Sequence, residues 1–197
     1  MNYIIVGLGN PGPEYAGTRH NVGRIILDAV RKKFGDEFAP DKKTQSLLAD
    51  GKIGSKKISF VAPETFMNNS GKAVGKFVKS VKAAEKLLVI YDDFNLPLGR
   101  IKLSFNRSSG GHNGLESIIK AVKTEAFTRM RIGLSPANAK GVAKVPHGDK
   151  VVEKFILGNI SPAEEKEIKK MAKTACDIVE MFVKEGKDKT MSVFNAQ

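Results

Sequence analysis

Five polar residues stand where an open reaction site would need them: Asn10, His20, Asn68, Asp92 and Asn113. Each follows or leads into a segment with the pattern of a strand end or a helix start. A histidine with a carboxylate partner is a general base, because the acid holds the imidazole in one tautomer and leaves the far nitrogen free to take a proton. Asparagine side chains supply N–H groups for a developing oxyanion or for a substrate backbone. No nucleophile elbow accompanies them, so the attacking group expected is water rather than a side chain.

Taken singly, each residue also has a plain structural reading. His20 or Asn68 would cap a helix, Asp92 would cap a turn, and Asn113 would begin a helix for its geometry. His112 has no acidic partner evident from its spacing, and His147 lies in a lysine-bearing loop as a solvated ring. Spacing alone therefore specifies a hydrolytic or binding site and no more.

The elements that must position these residues read as follows. Ile4, Ile5 and Val6 form a short buried strand that runs into a Gly/Pro-rich loop. From His20 onward, Val22, Ile25, Ile26, Ala29, Val30 and Phe34 recur at helical spacing. Residues 35–54 are polar and read as loop with a short strand, and Ile58–Ala62 as the next strand. Ala73, Val74, Phe77, Val78 and Val81 mark an amphipathic helix. Leu87–Tyr91 is the most apolar strand and delivers Asp92 and Asp93 at its carboxyl end, followed by a turn at 95–99. Arg100–Phe105 and Arg129–Leu134 alternate as half-exposed strands, and Gly110–Gly114 opens a helix between them. After a loop at 137–150, Val151–Leu157 fits a short helix or a strand. Ser161-Pro162-Ala163-Glu164 is a capping box with proline at the first helical position, opening a long closing helix. Strands and helices interleave with no composition break, which predicts one α/β domain with a mostly parallel or mixed sheet.

Gly7-Leu8-Gly9-Asn10-Pro11-Gly12 matches the dinucleotide fingerprint in form only. Residues 13–19 are loop-like where a helix should begin under a pyrophosphate, and the acidic residue due about 20 positions on is replaced by amphipathic helix.

The chain has 197 residues, and 33 Lys and Arg against 21 Asp and Glu give a formal net charge of +12, a balance suited to a polyanionic partner, nucleic acid first. A lone cysteine, Cys176, excludes an internal disulfide and fits a reducing compartment, and its helical neighbours make it a packed thiol. With no leader-like start and no apolar run of spanning length, a cytoplasmic location is expected. Three histidines scattered along the chain argue against a protein-held metal.

Five blocks in order, GLGNPGPEYAGTRHNVG (7–23), PETFMNNSGKAV (63–74), DDFNLPLGRIKL (92–103), GGHNGLESI (110–118) and RMRIGL (129–134), resemble the bacterial-type peptidyl-tRNA hydrolase family. The resemblance implies a single α/β domain, taken over residues 1–197, with a mixed twisted sheet flanked by helices; no cofactor or metal is expected, and a monomer is the default state. It implies hydrolysis of the ester joining a peptide to the 3′ end of tRNA, with peptidyl-tRNA as the partner. By motif, His20 corresponds to the general base, Asp92 to its orienting carboxylate, and Asn10, Asn68 and Asn113 to the substrate and oxyanion amides. Met67 corresponds to a wall of the peptide groove, with Tyr15 and Phe66 also at the substrate. Lys102 and Arg131 fall where the family holds the tRNA 5′ phosphate. The chain departs from the family at Asn95, at Asn106-Arg107-Ser108-Ser109 in place of a glycine-rich run, and at Leu134-Ser135-Pro136 with the loop that follows. The rival reading is a non-catalytic RNA-binding module on the same fold, against which the pairing of His20 with Asp92 counts.

Overall fold

The computed structural model describes residues 2–196. One seven-stranded sheet runs β2-β3-β4-β1-β5-β7-β6, where β1 is Tyr3–Gly7, β2 Ala39–Asp41, β3 Ser46–Ile53, β4 Lys56–Pro63, β5 Leu87–Pro97, β6 Ile101–Phe105 and β7 Thr128–Ser135. Its middle, β4-β1-β5-β7, is parallel, and the antiparallel strands β2, β3 and β6 lie outside it. The mixed α/β sheet expected from the interleaving is present.

Alternation along the central strands builds two apolar layers. Ile5, Leu88, Ile90, Met130 and Ile132 face α1 (Val22–Phe34) and α6 (Pro162–Glu185). Ile4, Val6, Leu87, Val89 and Tyr91 pack with residues of α2 (Ser70–Val74) and α4 (Asn113–Val122). Full burial of each large aliphatic side chain contributes roughly 1.5–3 kcal/mol, so β1 and β5 are rigid supports for whatever their ends carry. Cys176 is buried in the first layer, with Sγ 3.9 Å from the Ala29 carbonyl. The capping box of α6 forms as expected, with Glu164 accepting the Ser161 N–H at 2.8 Å.

Three segments differ from the sequence reading. Residues 46–53 form a full eight-residue strand rather than loop, because pairing with β4 along its whole length supplies what its diluted apolar pattern does not. The helix expected through Val81 is broken into α2 and α3 (Val81–Ala84), since Ser80 adopts an extended conformation and its hydroxyl accepts the Ala83 N–H, starting a new helix. The strand carrying Asp92 continues to Pro97, with a pairing irregularity after Asp93. Val151–Leu157, open between helix and strand, falls mostly within helix α5 (Asp149–Ile156), and α7 (Lys187–Phe194) closes the chain.

Candidate active site

Strand β1 has β4 on one side and β5 on the other, and ligands of open α/β sheets sit at the carboxyl ends of strands where the order reverses. The loops leaving these three strands carry Asn10 and His20, Met67 and Asn68, and Asp92. A helical turn at Arg19–Asn21 precedes α1 and places His20 inward. That placement requires glycine at 23. A Cβ there would run into the carbonyls of Ile90 and Leu8, the latter at 2.6 Å, so any side chain would lift α1 off β1 and β5.

His20 and Asp92 are both buried, and His20 Nδ1 lies 2.9 Å from each Asp92 carboxylate oxygen. The second histidine of the site is His112, for which the sequence offered no acidic partner: its Nε2 lies 3.1 Å from Asp92 Oδ1. His112 also caps α4, its Nδ1 accepting the N–H groups of Gly114 and Leu115 at 3.2 and 3.3 Å. An Nδ1 that accepts carries no proton, so the neutral His112 ring bears its hydrogen on Nε2 and donates it to Asp92. Asp92 also accepts the hydrogen on His20 Nδ1. His20 Nε2 is left as the unprotonated nitrogen, with no hydrogen-bond partner among the described residues.

Burial alone would push the His20 pKa down, but the charge of Asp92 and its hydrogen bond outweigh burial and raise it above 6.5. Burial likewise opposes the Asp92 charge, yet the two imidazoles more than offset it and hold the carboxyl well below the usual range. The acid is ionised whenever the base is working.

The three donor atoms of His20, Asp92 and His112 lie within 4.8 Å of one another, a spacing compatible with a metal ion, so histidines scattered in sequence are not scattered in space. The chemistry of the set disfavours ligation. A metal on His112 Nε2 would move the ring proton to Nδ1, against two backbone N–H groups that now donate to it.

Asn10 is held by a residue the sequence reading passed over. The buried Asn21 side chain accepts the Asn10 N–H and donates to the Asn10 carbonyl, both at 2.9 Å. The Asn10 side-chain oxygen accepts the Met67 N–H at 2.8 Å, which fixes the amide so that its N–H groups remain free of partners among the described residues. Asn10, His20, Met67, Asn68 and Asn113 line one crevice of about 450 Å³, with Ile156 and Leu157 beside them. Phe66, 57% exposed, also lines it, and Tyr15 meets Phe66 edge-on at 6.4 Å. Neither Asn68 nor Asn113 caps a helix by its side chain; His112 takes that role for α4.

Lys102 and Arg131 do not line this crevice. They are register partners on β6 and β7 and border a second cavity of about 500 Å³, which also touches Asp92 and His112. Arg131 Nε is 2.6 Å from Asp93 Oδ2. His147 is exposed, as expected. The loop before His20 is tied down by Arg19, which forms a two-bond pair with Glu164 at 2.7 and 2.9 Å and lies over the Phe155 ring. Neither Asn21 nor the Arg19 clamp was visible from spacing, since their partners are a backbone amide and a residue 145 positions away.

A family model described as peptidyl-tRNA hydrolase matches residues 4–197. A protein named peptidyl-tRNA hydrolase from Caldanaerobacter subterraneus subsp. tengcongensis is 41% identical over 194 residues, covering 98% of this chain and 99% of that one. One from Mycobacterium bovis is 35% identical over 184 residues, covering 93% and 92%. The crystal structure of peptidyl-tRNA hydrolase from Acinetobacter baumannii superposes with a TM-score of 0.87 at 31% identity, covering 99% of this chain and 95% of that one.

Proposed function

The chain belongs to the peptidyl-tRNA hydrolase family, and from that premise we propose that it cleaves the ester between peptide and tRNA with His20 as general base. The observation that carries the assignment is the convergence of two imidazole N–H groups on Asp92, which leaves His20 Nε2 as the proton acceptor. Water in the crevice gives its proton to Nε2 while its oxygen attacks the ester carbonyl. The Asn10 amide donates to the oxyanion, and the imidazolium returns the proton to the leaving 3′ oxygen of the tRNA. An ester is an activated acyl group, so a base and an oxyanion donor suffice, and general-base help of this kind is typically worth about 10²–10⁴ in rate. Met67, Phe66 and Tyr15 wall the peptide and the tRNA end, with Asn68 and Asn113 as polar grips. Lys102 and Arg131 attract tRNA phosphate, a contact that adds affinity but reads no sequence.

The chain acts as one domain and a monomer in the cytoplasm; among the described residues no helix is long and apolar enough to cross a membrane. The test is release of a labelled N-blocked amino acid from a peptidyl-tRNA analogue, with and without chelator. Turnover is expected in both, and His20→Ala abolishes it while tRNA binding persists. Undiminished turnover in that variant refutes the base assignment.

A further inference from the structure

A single carboxylate faces the crevice that holds the base. Glu153 on α5 lines that crevice with Asn10 and His20, and no other acid and no lysine or arginine borders it among the described residues. Glu153 is exposed, and its carboxylate has no hydrogen-bond or ion-pair partner among the described residues. The neighbouring acids differ. Glu164 is bound by Arg19, Glu64 by Arg24 and Asp93 by Arg131.

Glu153, Ile156 and Leu157 stand at i, i+3 and i+4, so they share one face of α5, and all three line the crevice. Phe155, on the other face, packs against the core and lies under the Arg19 guanidinium. The end of the helix is pinned by the residues just before His20. Arg19 Nη1 donates to the Phe155 carbonyl at 3.3 Å, the Arg19 backbone N–H donates to the Gly158 carbonyl at 3.0 Å, and the Gly17 carbonyl accepts the Ile160 N–H at 2.8 Å. The wall and the base therefore hold one relative position.

We infer that this face of α5 selects peptides with lysine or arginine at one of the two residues next to the ester. The inference rests on the peptidyl-tRNA hydrolase reading and names the peptide class that its crevice prefers. Two aliphatic groups beside a carboxylate complement a side chain built the same way. The stem of a lysine or arginine lies along Ile156 and Leu157 while its cation meets Glu153. A lone carboxylate repels RNA phosphates, so in a chain of net charge +12 this wall serves the peptide rather than the nucleotide end. An extended peptide advances about 3.5 Å per residue, and a crevice of about 450 Å³ keeps only the residues nearest the ester inside it.

N-acetylated dipeptides esterified to one acceptor-stem minihelix test this, with lysine, norleucine or glutamate at either position and alanine at the other. The readout is kcat/KM relative to the norleucine ester on the same enzyme, so the RNA contacts common to all substrates cancel. Because Glu153 is exposed, the wild type is expected to favour lysine by about two- to fivefold at one or both positions and to disfavour glutamate by a similar factor. Added salt shrinks both ratios toward one. Glu153→Gln brings them close to one, and Glu153→Lys inverts them. Ratios that are the same in the wild type and Glu153→Gln overturn the inference. A Glu153-dependent preference found only for an unblocked Ala-Ala ester assigns the carboxylate to the α-ammonium of the peptide and overturns the side-chain reading. Failure to hydrolyse any of the esters overturns the hydrolase reading, and this inference with it.

Discussion

Asp92→Asn has a consequence that follows from which atoms donate around it. The carboxylate now accepts from His20 Nδ1 and His112 Nε2, and backbone amides of α4 lock His112 as a donor. An asparagine has one accepting oxygen. With that oxygen turned to His112 Nε2–H, the amide N–H₂ group takes the place of Asp92 Oδ2, 2.9 Å from His20 Nδ1, and turns that nitrogen into an acceptor. The ring proton moves to Nε2, where the base is needed, and the reactive nitrogen is lost. The full contribution of the base goes with it, about 10²–10⁴ in kcat, or roughly 3–5 kcal/mol of barrier. The distinguishing measurement is a second substitution. His112→Asn retains a helix-capping side chain but is too short to reach position 92. In the Asp92→Asn/His112→Asn double variant the amide is free to turn its oxygen to His20 Nδ1 and restore the productive tautomer. Single-turnover ester cleavage is therefore expected to be faster in the double variant than in Asp92→Asn, by about tenfold. Equal rates, or a slower double variant, would refute the tautomer lock.

The pH dependence follows from the same pair. Because Asp92 raises the His20 pKa above 6.5, the acid limb of kcat/KM should have its midpoint above that value, and a midpoint below it contradicts the pairing. Stability runs the other way. His20 contributes fully below about 6.5 and loses its contribution as pH rises through its folded value, while Asp92 contributes above about 4 and loses it as pH falls toward its depressed value. Denaturation titrations should show the dyad adding most stability between those limits. Gly23→Ala should cost about 1–3 kcal/mol by overpacking and slow ester cleavage as well, because α1 carries His20 away from Asp92. Arg19→Gln should cost about 1–3 kcal/mol in urea unfolding by stranding the partly buried Glu164.

The legible part of the molecule was the part written in local patterns. β1, α1, the apolar half of β5 and the capping box of α6 follow from the apolar pattern and cap chemistry within short windows, and their edges were read to within a few residues. β3 escaped because its partner strand, not its own pattern, stabilises it. His20 and Asp92 stand out by their places at a helix start and a strand end, but their roles as base and orienting acid rest on the motif resemblance, since nothing in a gap of 72 positions announces a hydrogen bond.

His112 marks the limit of spacing as a guide. Its spacing offers no acid nearby in sequence, yet it shares the acid of a histidine 92 positions earlier, through a helix start that packs against Tyr91 of β5. The same residue shows why the plain and the functional readings of a glycine-rich helix start are not alternatives. Gly114 brings α4 against Met67 and Leu8, where its Cβ would meet the Leu8 side chain at 2.9 Å. That close packing aims the first amides of α4 at His112 Nδ1. The amides select the tautomer of His112, His112 and Asp92 select the tautomer of His20, and the free nitrogen of His20 meets the crevice. Backbone packing thus sets the proton inventory of the site, and any change that frees those two amides should reach the ester bond through three rings of contact.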